Sequence, residues 1–267
     1  MLGGIFRRLF GSKAADGRGG GNRGGAPDAA ADDAVDPALA ASWHSRDAHW
    51  AGVGTVEADV LGHLVSPALR GGPDWPTLRK AYRVIRRPHA IIVATDGLSD
   101  PFDGVTGGGN GFEVELFVET PDIAPAHAGS LGDISHIDRS WAFELVSHVA
   151  GTVAGAGGMT GQLARHGVLS MELPGVSRSS ALGTQLPAGF ATADDCLGLL
   201  IGMPVPDFSV RIADMPLSPV TLVPLTLIRA DELERLRKGG ADARKALVEQ
   251  RIAAGQHHVT TFGANSE

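Results

Sequence analysis

The chain has 267 residues, 43% of them hydrophobic and only 5% aromatic, with 37 glycines, so it can bury a sizeable, mostly aliphatic core and is not disordered throughout. The net charge is −7 but uneven: Arg7, Arg8, Lys13, Arg18 and Arg23 against Asp16 give residues 1–25 a charge of +4 and leave −11 on the rest. So acidic a domain is a poor electrostatic match for a phosphate backbone, and no nucleic-acid partner is expected; the single cysteine, Cys196, excludes an internal disulfide or a thiolate metal cluster.

Leu2, Ile5, Phe6, Leu9 and Phe10 fall at helical spacing around Arg7 and Arg8, a short amphipathic pattern. It lacks the continuous apolar core of a signal peptide, and no stretch approaches the ~18 uninterrupted apolar residues of a membrane span. Residues 11–36 are glycine, alanine, aspartate and arginine in low-complexity order, expected to act as a linker. Order is expected to begin near Pro37–Trp50. Val56, Val60, Leu61, Leu64 and Val65 predict a helix over 56–69, and Asp74 is placed to cap a second over 77–85, with Leu78, Tyr82 and Ile85 inward.

His89–Thr95 is apolar and β-branched and reads as a buried strand. A turn-rich stretch follows to Asn110. In 111–120, Phe112, Val114, Leu116 and Val118 alternate with Glu113, Glu115, Phe117 and Glu119, predicting a strand with one buried and one wet face, antiparallel to the strand before it. Ser140 is placed to cap a helix over 141–153, which Gly155–Gly161 ends. Strands are predicted at 168–173, 197–203, 208–212 and 220–228, with Pro224 marking a bulge or local edge in the last. Helices are predicted over 231–238, closed by Gly239, and over 242–254. Helices and strands do not alternate regularly, so the expected class is α+β, with a mixed, largely antiparallel sheet and packed helices. The expected division is a disordered extension over 1–40, one domain over 41–256 and a loose tail over 257–267.

Gly97-Leu98-Ser99-Asp100-Pro101 has the outline of a nucleophile elbow, but proline takes the last small-residue place and no helix follows. Ser99 and Asp100 read as turn residues bonding their own backbone. Gly107, Gly109 and Gly111 precede a strand, where a dinucleotide site requires a helix. The histidines show no metal-ligand spacing, and His257-His258 reads as solvated. No catalytic residue, metal site or cofactor is expected.

The ordered set Gly71-Gly72-Pro73-Asp74, Tyr82-Arg83, Gly97-Leu98-Ser99-Asp100, Gly111-Phe112-Glu113-Val114-Glu115-Leu116, Trp141 with Glu144-Leu145, and the strand 220–228 running into Glu232-Leu233 resembles the Suppressor-of-fused domain family over residues 55–240. The resemblance implies a mixed α+β domain without a catalytic role. Animal members restrain a transcription factor, and bacterial members are associated with toxin–immunity systems. The family motif positions matched are Gly72, Pro73, Asp74, Gly97, Leu98, Ser99, Asp100, Gly111, Phe112 and Glu113, read as structural, with binding as a further role. The expected function is a cytoplasmic, non-catalytic protein-binding module that neutralises a toxin or restrains a regulatory partner, the acidic surface favouring a basic protein. A serine hydrolase using Ser99 and a membrane-tethered scaffold using residues 1–10 are the alternatives.

Overall fold

A computed structural model describes residues 36–62 and 75–263. The amphipathic pattern of residues 1–10, the linker up to residue 35, and Gly72, Pro73 and Asp74 lie outside the described residues. Helix α1 spans Pro37–Ala51. Asp36 caps it, its Oδ1 accepting from the Ala38 amide at 2.7 Å, and the proline in the first turn has no N–H to leave unsatisfied. The fold therefore starts inside the span read as an extension over 1–40.

The strands are Thr55–Val56 (β1), Leu61–Gly62 (β2), Ala81–Arg86 (β3), Ile91–Thr95 (β4), Val114–Thr120 (β5), Leu169–Pro174 (β6), Cys196–Ile201 (β7), Arg211–Ile212 (β8) and Val220–Ile228 (β9). They form one sheet in the order β1-β3-β4-β5-β9-β7-β6, with β2 also on β3 and β8 also on β9. Only β5 and β9 run parallel. The remaining helices are Pro125–Ala128 (α2), Trp141–Gly155 (α3), Thr160–His166 (α4), Leu182–Gln185 (α5) and Ala230–Ala253 (α6). This is an α+β fold with a mixed, largely antiparallel sheet.

Both faces of the central strands are covered. The apolar stripe of α3 (Trp141, Leu145, Val149, Val153) packs with Val84, Val93, Leu116 and Val118. On the opposite face Trp50 of α1 packs with Ile85, Ile92, Phe117 and Leu222. Ser140 caps α3, its Oγ accepting from the Phe143 amide at 3.2 Å. Residues 91–94 and 117–120 pair antiparallel, in line with the alternation. Pro224 stands between the β9 residues paired with β8 and those paired with β7, a local edge where its missing N–H breaks no ladder.

Several expectations are corrected. Residues 77–85 are not a helix: β3 pairs with β4 from Tyr82↔Thr95 to Arg86↔Ile91, and Leu78 is 66% exposed. The spacing of Tyr82 and Ile85 satisfies a helix, but in a strand covered on both faces they simply serve opposite cores. The helix expected from Val56 is replaced, as far as residue 62, by β1 and β2 on the β3 edge. The face of β5 expected to be wet is buried, because Glu115 and Glu119 each find partners beneath covering elements. Within 208–212 only Arg211–Ile212 joins the ladder. The break between the last two helical segments falls at Gly240, with φ 58°, one residue past the expected cap.

The tail expected to be loose is docked as far as residue 263. His258 is buried rather than solvated, its Nε2 2.8 Å from Glu119 Oε2. Thr260 N–H donates to the Glu119 carbonyl at 2.9 Å, and the Phe262 ring packs on Trp141 and Phe190. The small cleft lined by Phe190, Arg229, Arg251 and Thr260 is about 40 Å³, room for a water or two, and Arg251 there is already paired with Glu232.

Candidate functional site

The motif residues within the described range converge at the end of the sheet where β4 leaves and β5 enters. Phe112 N–H donates to the Leu98 carbonyl at 2.8 Å, which closes the two ends of the 96–113 loop on each other. Gly97 is required by close approach: a Cβ there would lie 2.9 Å from the Arg79 carbonyl oxygen and 3.1 Å from the Trp75 ring. Gly111 is required twice over, by φ 48° and by the Leu98 carbonyl oxygen 2.4 Å from where its Cβ would be. Glu113 enters the strand at φ 58°. Leu98 is core, and Phe112 is half-buried with Phe102 edge-on at 5.3 Å.

Ser99 and Asp100 do more than bond their own turn. Both are fully buried, and Arg46 of α1 inserts beneath them. Arg46 Nε lies 2.8 Å from Asp96 Oδ1, its NH2 2.6 Å from Asp100 Oδ1, and its NH1 donates to Ser99 Oγ at 3.0 Å. Glu115 completes the cluster from β5. Its Oε1 accepts from Gly97 N and Ser99 N, each at 3.0 Å, and from Ser99 Oγ at 2.6 Å. Its Oε2 accepts from the Thr95 hydroxyl. Arg79 NH2 and Arg83 Nε reach Asp96 Oδ2 at 2.6 and 3.0 Å, and Trp43 Nε1 donates to Asp100 Oδ1 at 3.1 Å. Charges this deep are tolerated because they are paired and hydrogen-bonded.

The environment splits the two aspartates. Burial alone would raise Asp96, but Arg46, then Arg79 and Arg83, hold it well below the usual carboxylate range. At Asp100 burial outweighs Arg46 and Arg79, and the carboxyl is raised to about 6. The same three acids, Asp96, Glu115 and Asp100, outweigh burial at Arg46 and push its guanidinium up. The folded state therefore takes up the Asp100 proton at a higher pH than the unfolded chain, whose carboxylates titrate near ~3.9. This group makes the fold more stable as pH falls from about 6 to about 4. The contribution of Asp96 has the opposite sign: it is present above ~4 and lost as pH falls through its lowered folded value. In urea titrations, wild type is expected to gain on the order of 2 kcal/mol relative to Asp100→Asn across that window. A difference that does not change with pH would refute the assignment.

Ser99 Oγ has both roles filled, donating to Glu115 and accepting from Arg46, and no solvent reaches it. That geometry fixes a loop. Among the described residues no group of three or more His, Cys, Asp or Glu is arranged to hold a metal ion, and no helix is long and apolar enough to cross a membrane.

Asn110 holds the far side of the loop. Its Nδ2 donates to Ser42 Oγ at 2.7 Å and to the Ser99 carbonyl at 3.1 Å, and its Oδ1 accepts from the Leu217 and Ser218 amides, each at 3.0 Å. Asp103 N–H donates to the Pro76 carbonyl at 3.0 Å. The base of the loop is thus tied to α1, to the 75–79 segment and to the 214–218 segment, while its outer part, 102–109, faces solvent. These tied segments carry Leu78, Phe102, Val105 and Leu217, four of the six large hydrophobic side chains that are exposed among the described residues. Asp103, next to Phe102 in the chain, and Asp214, three residues before Leu217, are exposed. The sequence places the motif as structural and Glu115 on a wet face, but carries no signal for Arg46, Asp96 and Asn110 as its partners. The available signal for the exposed apolar set was Phe102 and Val105 inside an otherwise glycine- and aspartate-rich turn.

No protein-family model matches the chain, and no curated protein matches it.

Proposed function

We propose that the chain is a non-catalytic, cytoplasmic protein-binding module of the Suppressor-of-fused type, which neutralises a toxin or restrains a regulatory partner by covering part of that partner's surface. The observation that carries this reading is the set of exposed apolar side chains Leu78, Phe102, Val105 and Leu217 (the rim), on three segments tied to the base of a loop that the Arg46–Glu115 network locks. Clustered exposed apolar groups with polar neighbours mark contact surfaces. A rigid mounting lowers the ordering cost of association. Asp103 and Asp214, exposed close to them in the chain, favour a basic partner.

The test starts from capture with the intact chain as bait. The recovered protein is then purified and titrated against wild type and against Val105→Asp/Leu217→Asp. Both side chains are solvent-exposed, so the variant is expected to fold as wild type does. The expected result is binding weakened at least about tenfold, some 1.4 kcal/mol. Unchanged affinity would remove the rim from the interface.

A further inference from the structure

The docked segment after α6 supplies part of the lining of the cleft described above. The Thr226 hydroxyl donates to the His258 carbonyl at 3.0 Å, Leu227 N–H donates to Thr260 Oγ1 at 3.1 Å, and Thr260 N–H donates to the Glu119 carbonyl at 2.9 Å. Residues 258–260 are thus fastened to β9 and to β5. The cleft is lined by this segment (Gln256, Val259, Thr260), by Phe190, and by Arg229 and Arg251 at the two ends of α6. α6 bends at Gly240, and Arg251 of its last turn meets Glu232 of its first, Nε on Oε1 at 3.1 Å and Nη2 on Oε2 at 2.5 Å.

Arg229 has no such counter-ion. Its backbone N–H donates to Glu232 Oε2 at 2.7 Å, but among the described residues no oxygen accepts from its guanidinium. Its Cζ stands 5.6 Å from the centroid of the Phe190 ring, over the ring. Gly189, at φ 98°, leaves room beside it, since a Cβ there would lie 3.2 Å from Nη2. The guanidinium is held by a ring and retains its N–H donors for another acceptor. The Arg251 Nη1 and the Gln256 side-chain amide are also without hydrogen-bond partners among the described residues. Arg251 and Glu232 cancel in charge, so the cleft carries the single surplus positive charge of Arg229.

We propose that this cleft binds the carboxylate of a small monocarboxylic acid, its two oxygens taken by the Arg229 guanidinium, with the Gln256 amide and Arg251 Nη1 as further donors. A planar guanidinium matches a carboxylate with two parallel hydrogen bonds. Two carboxylate oxygens fill the space of the water or two that the 40 Å³ cleft admits, whereas a phosphate brings four. The single surplus charge selects a monoanion, because a phosphate dianion would keep one charge uncompensated in a half-buried site. No protein partner and no residue of the rim is needed for this binding.

The experiment titrates the full chain, labelled with nitrogen-15, with sodium acetate at constant ionic strength, sodium chloride making up the balance. The Arg229 Nε–H and Gln256 side-chain NH₂ signals are followed by NMR. The expected result is saturable shifts at both, with a Kd on the order of millimolar, the range open to a ligand of a few atoms. In Arg229→Gln, read at Gln256, affinity should fall at least tenfold. That variant keeps the backbone N–H that Glu232 holds at the start of α6, so the helix is expected to stay intact. Gln256→Ala, read at Arg229, removes a side chain that bonds to no other described residue, and should weaken acetate at least threefold in a folded chain. Inorganic phosphate at about pH 8, where it is a dianion, should bind at least fivefold more weakly than acetate. Shifts that do not saturate, equal shifts with chloride alone, or full affinity in the two variants would overturn the site. Phosphate binding more tightly than acetate would overturn its assignment to a carboxylate.

Discussion

Arg46→Met is expected to destabilise the fold by about 3–5 kcal/mol, the usual cost of removing one partner from a buried ionic cluster. Methionine fills most of the space, so the loss reports charge rather than cavity. Asp96 keeps Arg79 and Arg83, and Asp100 keeps only Arg79 as a cation, at 3.8 Å, while Glu115 loses the cation that lies between it and the aspartates. The measurement is urea unfolding at pH 7, with the extrapolated stability compared between variants. Adding Asp100→Asn to Arg46→Met is expected to recover part of the loss, because the buried acid that has lost its main cation is replaced by a neutral amide. A loss below about 1 kcal/mol would show that water, not Arg46, satisfies these carboxylates.

Glu115→Gln is expected to cost about 2–4 kcal/mol and to loosen the loop. The carboxylate accepts from two backbone amides and a hydroxyl on one oxygen and from the Thr95 hydroxyl on the other. An amide side chain can accept on one side only and must point its NH₂ at donors on the other. It also removes one of three negative charges around Arg46. Hydrogen exchange provides the readout: the amides of Gly97 and Ser99 should lose protection well before those of α3, since local opening then costs less than global unfolding. Uniform loss of protection would mean that Glu115 stabilises the whole sheet and has no special hold on the loop.

The parts of the fold that were legible in the sequence are those whose pattern is local. The α3 stripe with its Ser140 cap, the β-branched run of β4, the alternation of β5 and the apolar length of β9 each carry their signal within a dozen residues. β3 was misread because Tyr82 and Ile85 suit either period once both faces of a strand are buried. Glu115 was assigned to a wet face because nothing in its own strand records the arginine that reaches it from α1. His258 was assigned to solvent for the same reason, since Glu119 lies in a distant element. Gly97 and Gly111 were read as backbone requirements and are such, but their neighbours Ser99 and Asp100 serve a network whose other half lies in α1 and β5. The rim escaped notice because its members come from three separate segments that only the folded chain brings to one end of the sheet.

The most direct test of the central claim, that this rim mounted on a buried charge network is the surface that binds another protein, is hydrogen exchange on the intact chain with and without the recovered partner. The account expects new protection at residues 102–109 and 214–218, while β5 and the Gly97–Asp100 turn, already protected in the free chain, change little. Protection confined to another surface, such as the outer edge of β6, with the 102–109 loop unaffected, would contradict it.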